Sequence, residues 1–399
     1  MRIGIIGCGI AGQTAAIALA RDGHAVTVME RFEQAKPMGA GLLLQPSGLI
    51  VLDRLGLRLA AEKWGVPVVR SFGRTLHGRT VMDLRYAWLG DDAHGLGIHR
   101  SALFDVLHDG LRASGAEMRF GFDVAEIIGL DAPVVTSRSG DKEGPFDLLV
   151  DCGGAHDVLR GTLGLRVSDA LYPWGALWTT CPDRLGVFTS ELRQVYNGAR
   201  MMIGILPIGR VPGSAFAGNH VALFWSLKRA AYEAQRMAGI DALKTRIVEA
   251  WPKAKVIVDE VSSFDQFALA TYRDVRMPIW RNDRVLTIGD AAHGTSPQLG
   301  QGANLALIDA ITLASALRKS SGIDSALACY ERMRRPHIRY YQMMSRAMTP
   351  VFQSNSRMIG WARDALFGPI AKTPGLSHIM RTTLTGARKF PFGLWSPPG

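Results

Sequence analysis

The sequence is short of the features that mark several common functional classes. Only four cysteines occur in 399 residues (Cys8, Cys152, Cys181 and Cys329), and no two stand at CxxC spacing. That excludes a dense disulfide framework and a sequence-local thiolate metal site, and it points to reduced thiols in a cytoplasmic setting. There is no HExxH, P-loop, nucleophile elbow or Cys/His metal spacing, so no metal is expected. No apolar run of about 18 residues continues without a polar or glycine break, so no transmembrane segment is expected. Lys and Arg outnumber Asp and Glu by 46 to 35, a formal charge of +11, yet they form no basic block. Nucleic acid is therefore not an expected partner, and the basic balance suits anionic small molecules instead. The apolar N-terminus, MRIGIIGCGIAGQTAAIALA, fails as a signal peptide because glycines interrupt it and Gln13 and Thr14 fall inside it.

What is present is an ordinary globular composition, 47% hydrophobic, long enough for two or three domains. The first thirty residues read as strand (Ile3–Ile6), helix (Ala11–Arg21) and strand (Ala25–Met29), the last ending at Glu30. Gly7, Gly9 and Gly12 form G-x-G-x-x-G between the first strand and the helix. The first glycine permits the tight turn, the second lets a pyrophosphate approach the backbone, and the third lets helix and strand pack closely. Free N–H groups at the helix start then face the phosphates, and an acid at the end of the second strand can accept ribose hydroxyls. Ile10 and Ala11 belong to the same phosphate turn, and Arg31, directly after Glu30, reads equally as a residue stacking near adenine or as a solvated surface Arg.

A second stretch, RVLTIGDAAHGTSPQLGQGANLALIDA, runs from Arg284 to Ala310. Asp290 follows the apolar strand Val285–Ile288, where its carboxylate requires hydroxyl or N–H partners. The ribityl chain of a flavin supplies hydroxyls. Gly300 and Gly302 let backbone approach a flat ring, and the helix starting near Gly302–Asn304 presents a positive end suited to an electron-rich one.

These pieces resemble the FAD-dependent aromatic hydroxylases, the single-component (group A) flavoprotein monooxygenases. The resemblance rests on Gly7/Gly9/Gly12 with Glu30, on the Gly289–Asp290 stretch, and on GIHRSALFDVL, where Arg100 matches a cofactor-contacting arginine. It implies non-covalent FAD, with Asp290 near the ribityl or pyrophosphate region, Pro297 beside the flavin, and Gly300, Gly302, Ala303 and Asn304 along its pyrimidine edge. It also implies cofactor contacts from Gly41, within the loop Gly39–Gly48, and from Val124. NAD(P)H as co-substrate, dioxygen and a small aromatic substrate follow from the same resemblance, with oxygen passing from a flavin C4a-hydroperoxide to a phenol or N-heterocycle. One departure stands out in LLVDCGGAHDVLR. Gly153 occupies the place of the family's usual Asp and Asp157 that of a common Ser, while Arg160 is kept.

The expected fold is α/β: an FAD-binding Rossmann-like (GR2-type) domain with an inserted β-sheet substrate domain and a helical C-terminal segment. The cofactor domain is discontinuous, over 1–70, 97–165 and 276–345. The β-rich domain covers 71–96 and 166–275, and the helical segment covers 346–399. Trp174, Trp178, Tyr196, Phe224 and Trp225 fall on the inserted sheet, as core or as pocket wall. His293 reads as structural rather than as a base, and His99 as solvated or packed. Trp361 and Phe367 read as core of a tail helix, with an anchor to a membrane surface or a partner as the alternative. The protein is expected to be a monomer or homodimer. Two alternatives stay open: a flavin dehydrogenase or reductase that does not use oxygen, and a catalytically silent FAD-binding protein. A second G-x-G-x-x-G and a Trp-x-Trp-x-Ile-Pro stretch are both missing.

Overall fold

Three short apolar strands make the centre of the molecule. In the computed structural model, which describes residues 1–34, 40–161, 163–391 and 393–398, Arg2–Ile6 pairs in parallel with Ala25–Glu30 on one side and Leu148–Asp151 on the other. Val285–Thr287 extends the sheet beyond Leu148–Asp151, and Glu117–Phe120 extends it beyond Ala25–Glu30. Only Arg281–Asn282, at the edge, runs antiparallel. The central strands are covered on both faces, which is why they read as unbroken apolar runs rather than as alternation. The register sets Ile6 level with Asp151 and Asp151 level with Thr287. The turns after these strands therefore open at one edge, the carboxyl end, where doubly wound sheets bind ligands.

Two helices cover this edge, Ile10–Arg21 and Gly302–Arg318, and they pack on each other. Both are apolar nearly all round, the pattern of a helix enclosed in a core. A third, Arg100–Ala113, packs beside the first.

The second layer is a seven-stranded sheet in the order 268–276, 168–182, 220–228, 201–209, 191–197, 70–75, 80–85. Its neighbours are antiparallel except for 191–197 against 70–75. Side chains alternate between its faces. Leu177, Leu223 and Trp225 pack under the helices Gly239–Ala250 and Lys255–Val258. Ala222, Leu206 and Trp178 face the other way, onto Ala40 and Leu43. Trp225 is thus core of the outer face. A small sheet of Gly41–Leu44, Gly95–His99 and Val66–Val68 joins the two layers.

The chain ends in helices Ile323–Phe352, Arg357–Lys372 and Pro374–Leu384. The first runs unbroken across the expected boundary at 345/346. Phe367 packs with Phe352 on Tyr196 and Phe224, whereas Trp361 is 69% exposed, which corrects its expected place in a core.

Candidate active site

The glycine turn has the geometry its spacing requires. Gly7 adopts φ 93°, and a Cβ there would lie 2.7 Å from the Cys152 carbonyl oxygen. A Cβ on Gly12 would lie 1.9 Å from the Gly7 carbonyl oxygen, so the helix reaches the turn only as glycine. Gly9 instead opens to solvent with nothing near it. Beneath the turn, the Glu30 carboxylate accepts the N–H of Cys8 at 2.8 Å and of Phe32 at 3.1 Å. Each oxygen keeps a further lone pair for a ligand hydroxyl. Arg31 is exposed, with its guanidinium over the Phe32 ring. Val124 is buried with Ile6 and Met29 behind the same turn.

The Gly-Asp pair meets this turn from the neighbouring strand. Gly289 adopts φ 65°, and a Cβ on it would stand 3.1 Å from that of Ala11. Asp290 opens a one-turn helix, Asp290–His293, and is exposed. Its carboxylate has no hydrogen-bond partner among the described residues, and a Cβ on Gly302 would come within 3.7 Å of it. Neither Gly9 nor Gln301 caps the helix that follows it with a side chain, and neither helix has an acid in its first turn. The first N–H groups of both helices are left for something else. Pro297 starts the tight turn Pro297–Leu299, Gly300 takes the left-handed conformation at φ 62°, and Ala303 is half-buried in the first turn of the helix.

Asn304 corrects one expectation. Its side chain is fully buried: the oxygen accepts the Gln45 N–H at 2.9 Å, and the amide donates to Gly300 O at 3.1 Å. It ties the 41–45 segment to the helix start. Gly41, on that segment, packs where a Cβ would lie 2.3 Å from Ile208 of the large sheet. Arg100 is exposed next to it, and its N–H donates to Ala40 O. Gly39, the first residue of the expected loop, lies outside the described residues. His99 caps the Arg100 helix by accepting the Ser101 N–H, and burial lowers its pKa to about 4.

His293 is structural. Its Nε2 is 2.6 Å from Asp309, which also accepts the Gly289 N–H at 2.9 Å and Arg334 Nε at 2.7 Å. Burial alone would raise the Asp309 pKa, but His293 and Arg334 reverse this and hold it below the usual carboxylate range. Arg334 also meets His337, whose other nitrogen is 3.0 Å from Gly386 O and whose ring stacks on Trp395. The backbone before Asp290 is thereby anchored to the end of the chain.

The turn after Leu148–Asp151 is different. Asp151 is fully buried, accepting the Gly153 N–H at 2.9 Å. Asp157 accepts the N–H groups of Leu159 and Arg160, each at 3.0 Å. Burial, and then the Asp157 charge, raise the Asp151 pKa well above the carboxylate range. Arg160 spans the two turns, bonding Ala291 O at 3.0 Å and Asp169 at 3.0 Å.

On the sheet face that packs on Ala40 and Leu43, Trp178 donates to Tyr272 OH at 3.1 Å and packs against Phe224 with ring centres 4.9 Å apart. Tyr272, pushed up to about 12 by burial, went unnoticed in the sequence because its strand, ALATYRDVR, has no apolar alternation. A cavity of about 620 Å³ lies elsewhere, lined by Trp225 and Lys228 on the sheet's outer side.

A doubly wound sheet with a glycine turn, a second uncapped helix and an unpartnered aspartate at its carboxyl edge defines a dinucleotide-binding protein of the flavoprotein type. The chain belongs to the FAD binding domain family, which it matches over residues 1–345. It is 27% identical to 2-heptyl-3-hydroxy-4(1H)-quinolone synthase of Mycobacteroides abscessus, over 95% of this chain and 96% of that one. It is 28% identical to 6-methylpretetramide 4-monooxygenase of Streptomyces rimosus, over 96% and 91%. Among solved structures, Klebsiella pneumoniae HpxO complexed with FAD and uric acid superposes with a TM-score of 0.81 at 21% identity, over 97% of each chain.

Proposed function

We propose that the protein is an FAD-dependent monooxygenase that uses NAD(P)H and dioxygen to hydroxylate an aromatic or N-heterocyclic small molecule. The observation that carries this is the gap itself: an unpartnered Asp290 carboxylate between two helix starts that no side chain caps. A diphosphate needs N–H donors without a nearby acid, and a polyol needs a free acceptor. The residues present fit FAD on both counts. Gly7, Gly9, Ile10, Ala11 and Gly12 would hold its phosphates, and Glu30 and Arg31 its adenosine half. Asp290 and Gly289 would hold the polyol. Pro297, Gly300, Gly302, Ala303 and the Asn304 backbone would border the ring, with Gly41, Arg100 and Val124 closing the sides.

The chemistry the group supplies when bound is reduction of dioxygen with electrons from NAD(P)H and delivery of one oxygen atom to the ring. The protein's part is binding, orientation and exclusion of water. The start of the 302–318 helix would offer positive potential to a ring that carries negative charge when reduced. Trp178, Phe224 and Tyr272 offer an aromatic wall to a flat substrate, and Tyr272, kept neutral, keeps its proton for a hydrogen bond. We infer that residues 71–96 and 166–275 form this substrate-facing part. The relatives named for quinolone and pretetramide chemistry support a polycyclic or heterocyclic substrate class.

The test is product analysis under ¹⁸O₂ with NAD(P)H and a panel of hydroxyquinolones, hydroxypyridines and hydroxybenzoates. One labelled oxygen atom in the product is expected. Substrate-dependent NAD(P)H oxidation that yields a reduced product without label would identify a reductase that does not use oxygen instead.

A further inference from the structure

The cavity of about 620 Å³ on the outer side of the large sheet lies where its strands end. Trp174 stands opposite Lys228 across two neighbouring strands, and Asn197, Arg200 and Met201 belong to the hairpin that joins the next two. Gln235 and Arg246 reach it from the helices Tyr232–Met237 and Gly239–Ala250. Asn355 reaches it from the link between Ile323–Phe352 and Arg357–Lys372. Trp174, Trp225 and Leu227 give it a buried, aromatic and apolar floor. Its volume is that of a small-molecule site, about 300–1,000 Å³. Trp225 packs on the outer side of the sheet and Trp178 on the other, so the sheet stands between this cavity and the aromatic wall.

Three cations line the cavity, Arg200, Lys228 and Arg246, and no Asp or Glu does. Among the described residues none of the three is in an ion pair. Elsewhere on the same sheet, Arg70 is paired with Asp83 and Glu191, and Arg273 with Asp169. The cavity's arginines are held by neutral groups instead. Arg200 donates to Asn355 O at 3.3 Å from Nε and 3.0 Å from Nη2. Arg246 donates to the side-chain oxygen of Gln235, and its guanidinium carbon lies 4.9 Å from the centre of the Trp225 ring. Neutral acceptors orient a cation without cancelling its charge. A cleft lined by one sign of charge attracts the other. Ser226, buried at the floor, accepts the Met202 N–H at 2.8 Å and keeps its own proton to donate.

We propose that this cavity is a second small-molecule site, separate from the cofactor gap, that binds a planar aromatic anion such as an aromatic carboxylate. Arg200, Lys228 and Arg246 take the anionic group, and Trp174, Trp225 and Leu227 take the ring. A neutral aromatic would leave the three charges uncompensated, and an inorganic anion would leave the floor wet. One ligand that carries both a ring and a negative charge meets both demands. The site stands whether or not FAD occupies the gap, because no residue is shared between them.

The experiment is calorimetric titration of the purified protein with 2-naphthoate, and with neutral naphthalene-2-carboxamide beside it. A binding event is expected that Lys228→Gln and Arg246→Gln each weaken by about tenfold or more, the scale of a lost charge-assisted bond. Trp178→Ala, on the other side of the sheet, should retain that event, and the carboxamide should bind at least about tenfold more weakly. Arg246→Gln also removes a contact with Trp225, so Lys228→Gln, exposed and without a partner, decides where the two disagree. Several results overturn the proposal: no event tighter than about 1 mM, an event that ignores the Lys228 change, equal binding of acid and amide, or an event that only Trp178→Ala removes. So does sedimentation showing a dimer of the parent that Lys228→Glu dissociates, since the cavity would then be a contact between copies. Failure of the FAD assignment would look different, with Asp290→Ala keeping full FAD affinity while the naphthoate event stays.

Discussion

Two turns leave adjacent parallel strands at one edge of the sheet, and each encloses a buried aspartate in an opposite electrostatic setting. After Val285–Thr287, Asp309 lies among Arg334, His293 and the Gly289 N–H and stays ionised. After Leu148–Asp151, Asp151 lies near a second carboxylate, Asp157, and burial together with that charge raises its pKa well above the carboxylate range. Arg160 joins the two turns but is spread over Ala155, Ala291 and Asp169. Burial by itself does not set the charge of a carboxylate. The sign of its neighbours does.

The largest effect should come from emptying the first setting. Asp309→Ala leaves Arg334 and His293 buried without their anion, and removing one partner of a buried pair costs about 3–5 kcal/mol. Urea unfolding should show that loss, and a change below about 1 kcal/mol would mean the cluster is not held by charge. Asp290→Ala should do the reverse, leaving apo-protein stability nearly unchanged because the carboxylate is exposed and unpartnered. FAD affinity should then fall by roughly ten- to a hundredfold, about 1.5–3 kcal/mol. His293→Ala should lower stability more than it lowers FAD affinity. Equal losses in both quantities for both variants would erase the distinction between anchor and ligand.

The pH dependence of stability sharpens the same contrast. Asp309 has a folded pKa below its unfolded value of about 3.9, so its contribution is complete above that pH and is lost as pH falls through the folded value. Asp151 has a raised folded pKa, so its contribution is complete below about pH 4 and declines as pH rises through the folded value. Asp151→Asn should flatten the alkaline side of the stability curve and leave the acid side. Urea midpoints across pH would refute this if the alkaline decline survives in Asp151→Asn. The smallest expected change is at Gly300, left-handed and in open space. Gly300→Asn, which tolerates that conformation, should shift apo-protein stability by less than about 1 kcal/mol in thermal unfolding.

Much of the first turn was legible because its signals are local. Gly7, Gly9 and Gly12 with Glu30 lie within one strand–helix–strand unit, and their spacing has a steric cause. The start of the 302–318 helix was legible for the same reason. Asp309 and Arg334 were not, because they are 25 residues apart and each looks ordinary alone. A signal did exist: an acid inside the otherwise apolar LALIDAITLASAL must be buried and so must find a cation. Asn304 was assigned to a ligand because sequence does not say which way a polar side chain at a helix start is already committed. The order of the large sheet was hidden too, since 70–75 pairs with 191–197 across more than a hundred residues. Alternation reveals a strand but not its neighbour.

The link from Trp395 through His337 and Arg334 to Gly289 has a consequence for biosynthesis. Chain emerging from a ribosome carries its glycine turn first and its mid-chain strand next, but Val285–Thr287 arrives after two-thirds of the polypeptide. The residues that stack on His337 come last of all. The apolar edge of Leu148–Asp151 must therefore wait, unpaired on one side, through synthesis of the whole large sheet, a state prone to aggregation. Nascent protein stalled short of residue 386 should need a chaperone to stay in solution.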